Sequence, residues 1–181
     1  MNALAKQIWA PVLGFLALGY LVLMVVVGTH PERVHLIRYQ ANGVMAQKPG
    51  TITRVVITRA GKSISFARRS SSWVRGGETA SVDAGLAKSI SLAVKFLHTA
   101  EPVRIFKAGQ VASTAAADFG LSTPTLSIKV EDAQGVVLEA DFGNPSSDGL
   151  LHYMRVKGRD KIYLMSRFVL RQWQAVADQK G

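Results

Sequence analysis

The side chains with which this chain could do chemistry are few: four histidines, a serine triplet, and two carboxylates spaced two residues apart. His30, His35, His98 and His152 form neither a His-x-x-x-His pair nor a His-Glu-x-x-His motif, so they read as separate residues and not as a metal set. Asp141, Asn144 and Asp148 share one stretch with Gly and Pro, but their spacing is not that of a helix–loop–helix calcium site, and they read as an Asx-rich turn. Ser70-Ser71-Ser72 lacks a Gly-x-Ser-x-Gly elbow, and there is no cysteine to act as nucleophile. Glu139 and Asp141 alternate onto one face of a strand, opposite its apolar residues, which predicts solvent exposure in place of an acid–base pair. Gly76-Gly77 lacks the Gly-Lys-Ser/Thr continuation of a phosphate loop. The expectation is a non-enzymatic chain with no catalytic residue, no cofactor and no metal.

Charge carries more information. The formal net charge is +10, and it is unevenly spread. Between Arg33 and Gly77 stand nine basic residues and no acid, whereas Glu131, Asp132, Glu139, Asp141 and Asp148 gather later. A basic surface of this kind suits anionic lipid headgroups or an acidic partner protein. It does not suit nucleic acid, because no aromatic residues are interleaved as a stacking platform. Arg54, Arg59, Lys62, Arg68 and Arg69 are the candidate partner-binding residues.

Those residues must be positioned by something, and the first element is at the N-terminus. Residues 8–27 hold twenty positions without a charge. As a helix they would cover roughly 30 Å, the hydrocarbon thickness of a bilayer. The exit through Val25-Val26-Val27-Gly28-Thr29-His30 is a poor cleavage site, so the run reads as an uncleaved anchor, with Pro11 in its first turn. The expected organisation is an anchor over residues 1–29, a tether over 30–50 and one domain over 51–181. A short extra strand is expected at residues 34–39.

Within the domain, residues 52–59 and 63–69 form a hairpin across Ala60-Gly61, with a third strand at 72–75. Leu86, Ile90, Val94 and Leu97 make one apolar stripe, which predicts a helix over 83–98, capped by Ser81 or Asp83 and stopped at Glu101-Pro102. A short strand at best follows at 103–106, and a short helix at 113–118. Two further hairpins are expected, 125–131 with 136–142 and 151–156 with 161–165. In the first, Leu126, Ile128 and Val130 face the same side as Val136, Leu138, Ala140 and Phe142. Ser166 caps a last helix with Val169, Trp173 and Val176 inward. Hairpins interspersed with helices give an α+β fold: one N-terminal transmembrane helix and a single, mostly antiparallel sheet with two main helices.

The order of pieces carries a resemblance. It runs through Ile52-Thr53-Arg54-Val55-Val56-Ile57, Ser71 to Trp73, the Leu-x-x-Ala-Glu-Pro-Val-Arg stretch from Leu97 to Arg104, Asp118-Phe119-Gly120-Leu121-Ser122-Thr123-Pro124, Phe142-Gly143-Asn144-Pro145, and the Tyr-x-Arg-Val-x-Gly…Ile-Tyr-Leu ending from Tyr153 to Leu164. This resembles the bacterial family called domain of unknown function 4340, with Phe119 where the family's Tyr-Gly-Leu-x-x-Pro signature has tyrosine. The resemblance implies one N-terminal inner-membrane anchor, a cytoplasmic N-terminus and a periplasmic α+β domain, often encoded near ABC-type transporter components. It transfers no catalytic residue. The functional expectation is an accessory, assembly or scaffold subunit that binds a partner protein at the membrane surface. The alternatives are a periplasmic small-ligand or lipid-binding module, or an enzyme with a site not visible in sequence.

Overall fold

The computed structural model describes residues 3–29, 41–107, 110 and 115–179. Two compact units divide the chain, Met1–Gln40 and Ala41–Gly181. The strand expected at residues 34–39 lies outside the described residues.

The first unit holds helix α1 (Ala3–Thr29), 27 residues long. It starts one turn earlier than the apolar run, so Pro11 falls inside the helix and not in its first turn. There it removes one i→i−4 hydrogen bond. Side chains of α1 are described over residues 11–26, and every one of them is exposed. Among the described residues no helix is long and apolar enough to cross a membrane.

The second unit is α+β. Its eight strands are β1 (Arg54–Arg59), β2 (Lys62–Arg69), β3 (Ser72–Arg75), β4 (Arg104–Lys107), β5 (Leu126–Asp132), β6 (Gly135–Pro145), β7 (Leu151–Val156) and β8 (Lys161–Ser166). They form one sheet, ordered β3-β2-β1-β5-β6-β7-β8-β4, and every pairing is antiparallel. Helix α2 (Ala84–Thr99) carries the chain from β3 at one edge to β4 at the other. A single turn, α3 (Ala115–Asp118), precedes β5, and α4 (Arg167–Asp178) follows β8.

Alternation decides the faces. Val55 and Ile57 of β1, Leu126, Ile128 and Val130 of β5, Leu138, Ala140 and Phe142 of β6, and Met154 and Val156 of β7 are buried under the helices. Their odd-numbered or even-numbered neighbours point to a second, helix-free face. One inward position departs from expectation. The β5–β6 register shifts at Val130/Glu131, so Val130 opposes Leu138 while Glu131 opposes Val136. This bulge inserts Val137 as the extra residue. Val137 packs against the core, and Val136 is exposed.

Helices α2 and α4 lie across this sheet in opposite directions. Phe96 of α2 meets Phe168 of α4 edge-to-face at 4.8 Å, and a turn or more along, Gln172 donates to the Ser89 carbonyl at 3.3 Å. Asp83 caps α2 by accepting from the Gly85 and Leu86 amides at 2.8 and 3.0 Å. Ser166 stands at the N-cap of α4 as expected, but its hydroxyl makes no capping bond. At the other end of α4, Arg59 of β1 pairs with Asp178, and Arg75 of β3 donates to the Gln179 carbonyl at 3.0 Å. Two strand arginines thus supply the positive charge that a helix C-terminus favours, which α4 lacks in its own last turn.

Residues 41–50, expected as part of the 30–50 tether, belong to the second compact unit. Val44 and Met45 are buried in the core. The Gly43 amide donates to the His98 carbonyl at 3.0 Å and the Met45 amide to the Leu97 carbonyl at 2.9 Å. Residues 43–45 thereby satisfy two of the carbonyls that the end of α2 would leave orphaned. His98 Nδ1 lies 3.0 Å from the Met45 carbonyl, and Arg159 donates to the Val44 carbonyl at 3.0 Å. A Cβ on Gly43 would sit 2.3 Å from the Leu97 carbonyl oxygen, so only glycine allows this approach.

Candidate functional site

The helix-free face of the sheet collects the polar side chains that sequence spacing brings to one side. Across β1, β5 and β6 runs a ladder of alternating charge. Arg54 lies 3.8 Å from Glu131, Lys129 lies 3.3 Å from Glu131 and 3.7 Å from Glu139, and Lys157 lies 2.8 Å from Glu139. The hydrogen bond from Lys157, together with its charge and that of Lys129, holds the Glu139 carboxyl below its ordinary value of 4.5, against the opposing effect of burial. The same contact raises the Lys157 ammonium.

Beside the ladder is a tighter group. Asp141 is 5% exposed. It accepts from the Ser127 hydroxyl at 2.7 Å and from Arg155 at 3.1 Å. Arg155 also donates to the Leu121 carbonyl at 3.1 Å. The expected exposure of the 139/141 pair therefore holds for neither residue fully: Glu139 is half-buried and Asp141 buried. The cause is the segment after α3. Leu121 is fully buried, the Asn144 amide donates to the Phe119 carbonyl at 2.7 Å, and a Cβ on Gly143 would meet that carbonyl oxygen at 2.1 Å. Glycine at 143 lets the segment lie directly on β6. Phe119 stacks on Tyr153 of β7 at 4.0 Å between ring centroids, Phe106 of β4 lies 6.3 Å from Phe119, and Arg104 sits over the Phe106 ring at 4.7 Å. These aromatics form a second, small apolar cluster that ties the segment to the sheet.

Asp141 and Glu139 are each engaged by a cation, and Ser127 faces a carboxylate and no histidine. His152 follows the alternation of Met154 and Val156, away from both carboxylates, with Nδ1 3.4 Å from the Gly143 carbonyl. Among the described residues no three His, Cys, Asp or Glu side chains converge as a metal set. In the loop of Asp148, the carboxylate accepts from the Ser146 hydroxyl at 2.5 Å and the Leu150 amide at 3.0 Å, which lowers its pKa and makes the Asx-type turn the spacing suggests.

The five candidate partner-binding residues do not share a face. Arg54 and Arg69 follow the helix-free side, while Arg59, Lys62 and Arg68 follow the helix-bearing side of their strands. Three have intramolecular work. Arg54 pairs with Glu131, Arg59 with Asp178, and Arg68 donates to the Gly50 carbonyl at 3.0 Å while lying 4.8 Å from the Trp73 ring centroid. Lys62 and Arg69, at opposite ends of β2, are exposed and form no ion pair among the described residues. The Asp141–Arg155–Ser127 group was missed in the sequence. Its one signal is parity: all three residues alternate away from the buried positions of their strands.

No protein-family model, no curated protein and no solved structure matches this chain.

Proposed function

We propose that the chain is a membrane-anchored accessory or assembly subunit, in which α1 is a permanent single span and the domain beginning at Ala41 meets a partner protein at the membrane surface. The observation that carries the reading is α1 itself. It is 27 residues long, and its described side chains, including Leu13, Phe15, Leu16, Leu21, Leu23 and Val25, are apolar and exposed. Apolar side chains exposed along a helix need an apolar surrounding. Residues 11–26 alone would rise about 24 Å. The uncharged sequence extends to residues 8 and 27, and the helix runs past both.

The resemblance to domain of unknown function 4340 supports a bacterial inner-membrane location with the N-terminus cytoplasmic and the domain periplasmic. It also supports a link to a transporter or other membrane complex. The domain's part is binding and not catalysis in this reading, since its conspicuous polar groups are engaged with one another. Partner contact falls to the cations without intramolecular work, Lys62 and Arg69 first.

The experiment is detergent extraction of the tagged full chain, followed by mass spectrometry of what co-purifies. Wild type is expected to retain a partner that Lys62→Glu/Arg69→Glu releases with the domain still folded. Arg68→Glu is unsuitable, because Arg68 holds the Gly50 carbonyl and covers Trp73. Unchanged co-purification with the double variant would reject β2 as the contact.

A further inference from the structure

Four of the domain's large exposed apolar side chains gather where β8 runs into α4. Val103 is 65% exposed, Leu150 56%, Phe168 46% and Ile105 45%. Backbone hydrogen bonds and strand register bring them together. The Arg167 amide donates to the Leu150 carbonyl at 2.9 Å, which puts Leu150 beside the start of α4 and Phe168. The Val103 amide donates to the Leu164 carbonyl at 2.9 Å, and Ile105 opposes Tyr163, so both lie along β8 on the helix-bearing side. Phe96 closes the group against Phe168.

Cations surround this patch. Lys107 lies two residues beyond Ile105 and stands directly opposite Lys161 on β8. Arg167 adjoins Leu150, and Arg171 is one turn along α4 from Phe168. None of the four forms an ion pair among the described residues, nor do the acids nearest in sequence, Glu101 and Asp160. The cations of the Arg54–Glu131–Lys129–Glu139–Lys157 ladder, by contrast, are paired. Like charges directly opposite on adjacent strands destabilise a sheet. The Lys107–Lys161 pair is thus a cost to the fold that an external anion would offset.

We propose that this face rests on an anionic bilayer surface, with Leu150, Phe168, Val103 and Ile105 entering the interface and Lys107, Lys161, Arg167 and Arg171 meeting phosphate headgroups. Apolar side chains ringed by unpaired cations are the chemistry of an interfacial contact. The inference rests on the anchored reading for its setting, since a tethered domain stays within reach of the surface. Docking would fix which side of the domain remains open to a partner, and would leave the β1–β3 end facing away.

The chain has no cysteine, so a single Leu150→Cys carrying an environment-sensitive fluorophore reports on the patch, with Glu78→Cys on the β3 turn as control. The labelled full chain is reconstituted in phosphatidylcholine vesicles, with or without about a third of phosphatidylglycerol. The expected result is a blue shift at position 150 on anionic vesicles only, reversed by high salt, abolished by Lys107→Glu/Lys161→Glu, and absent at position 78. An unshifted probe on anionic vesicles overturns the proposal, as does an equal shift on neutral ones. A shift that grows with the number of chains per vesicle overturns it in favour of a second copy or another protein covering the patch. Flotation on neutral vesicles reads the anchor separately: a chain that fails to float there but shifts on anionic vesicles loses the anchor and keeps the docking face.

Discussion

Arg155 shows what a single residue contributes. Its guanidinium reaches both the Leu121 carbonyl and the buried Asp141 carboxylate, so it joins the segment after α3 to β6 and β7. Arg155→Ala leaves a carboxylate without its cation, and a stability loss of about 2–3 kcal/mol is expected in urea unfolding, discounted from a fully buried pair because Arg155 is partly exposed. Glu139 makes a smaller contribution with a pH signature. Its folded pKa lies below the ordinary 4.5. The stability it adds is therefore complete above the unfolded value and is lost as pH falls through the folded one. Glu139→Gln should cost about 0.5–1 kcal/mol at neutral pH and nothing at pH values below both. A loss that persists in acid would point to packing and not to the Lys157 pair. Parity in the sequence placed Glu139 and Asp141 on one face. It could not show their burial, because the segment that covers Asp141 arrives from more than a strand away through Gly143.

At the scale of elements, the fold turns on a strap that looks like linker. Residues 41–50 show no period, and Val44-Met45 is too short an apolar run to announce a core position. Their partners, Leu97 and His98, lie some fifty residues on, so nothing local signals the contact. Gly43→Ala should cost about 2–3 kcal/mol, since its Cβ would enter the end of α2. Removal of the whole strap should do more: burial of Val44 and Met45 is worth roughly 3 kcal/mol or more. A fragment beginning at residue 41 is expected to unfold cooperatively with a higher Tm than one beginning at residue 51. Equal melting would show that the strap is dispensable. Periodicity did locate α2 and α4 and the hairpin strands, where apolar stripes and Gly-containing turns act over a few residues. It gave β4 only as a short strand at best, since four residues with two cations carry little pattern. Strand order was beyond it: that β4 ends beside β8, across the sheet from β3, depends on where α2 delivers the chain.

For the whole molecule, the two units divide the physics. The domain from Ala41 buries its apolar residues beneath α2 and α4 and engages four cations of the basic run, Arg54, Arg59, Arg68 and Arg75, at home. That run looked like one surface because charge was counted along the chain, whereas pairing is set by register across it. What remains unsatisfied is α1, with its apolar side chains exposed along the described stretch. Membrane attachment is the claim on which the functional reading rests, and alkaline carbonate extraction of cell membranes tests it directly. The full chain is expected to stay with the membrane pellet, and a chain lacking residues 1–29 to appear in the supernatant as a folded domain. Release of the full chain by carbonate without detergent would contradict the account.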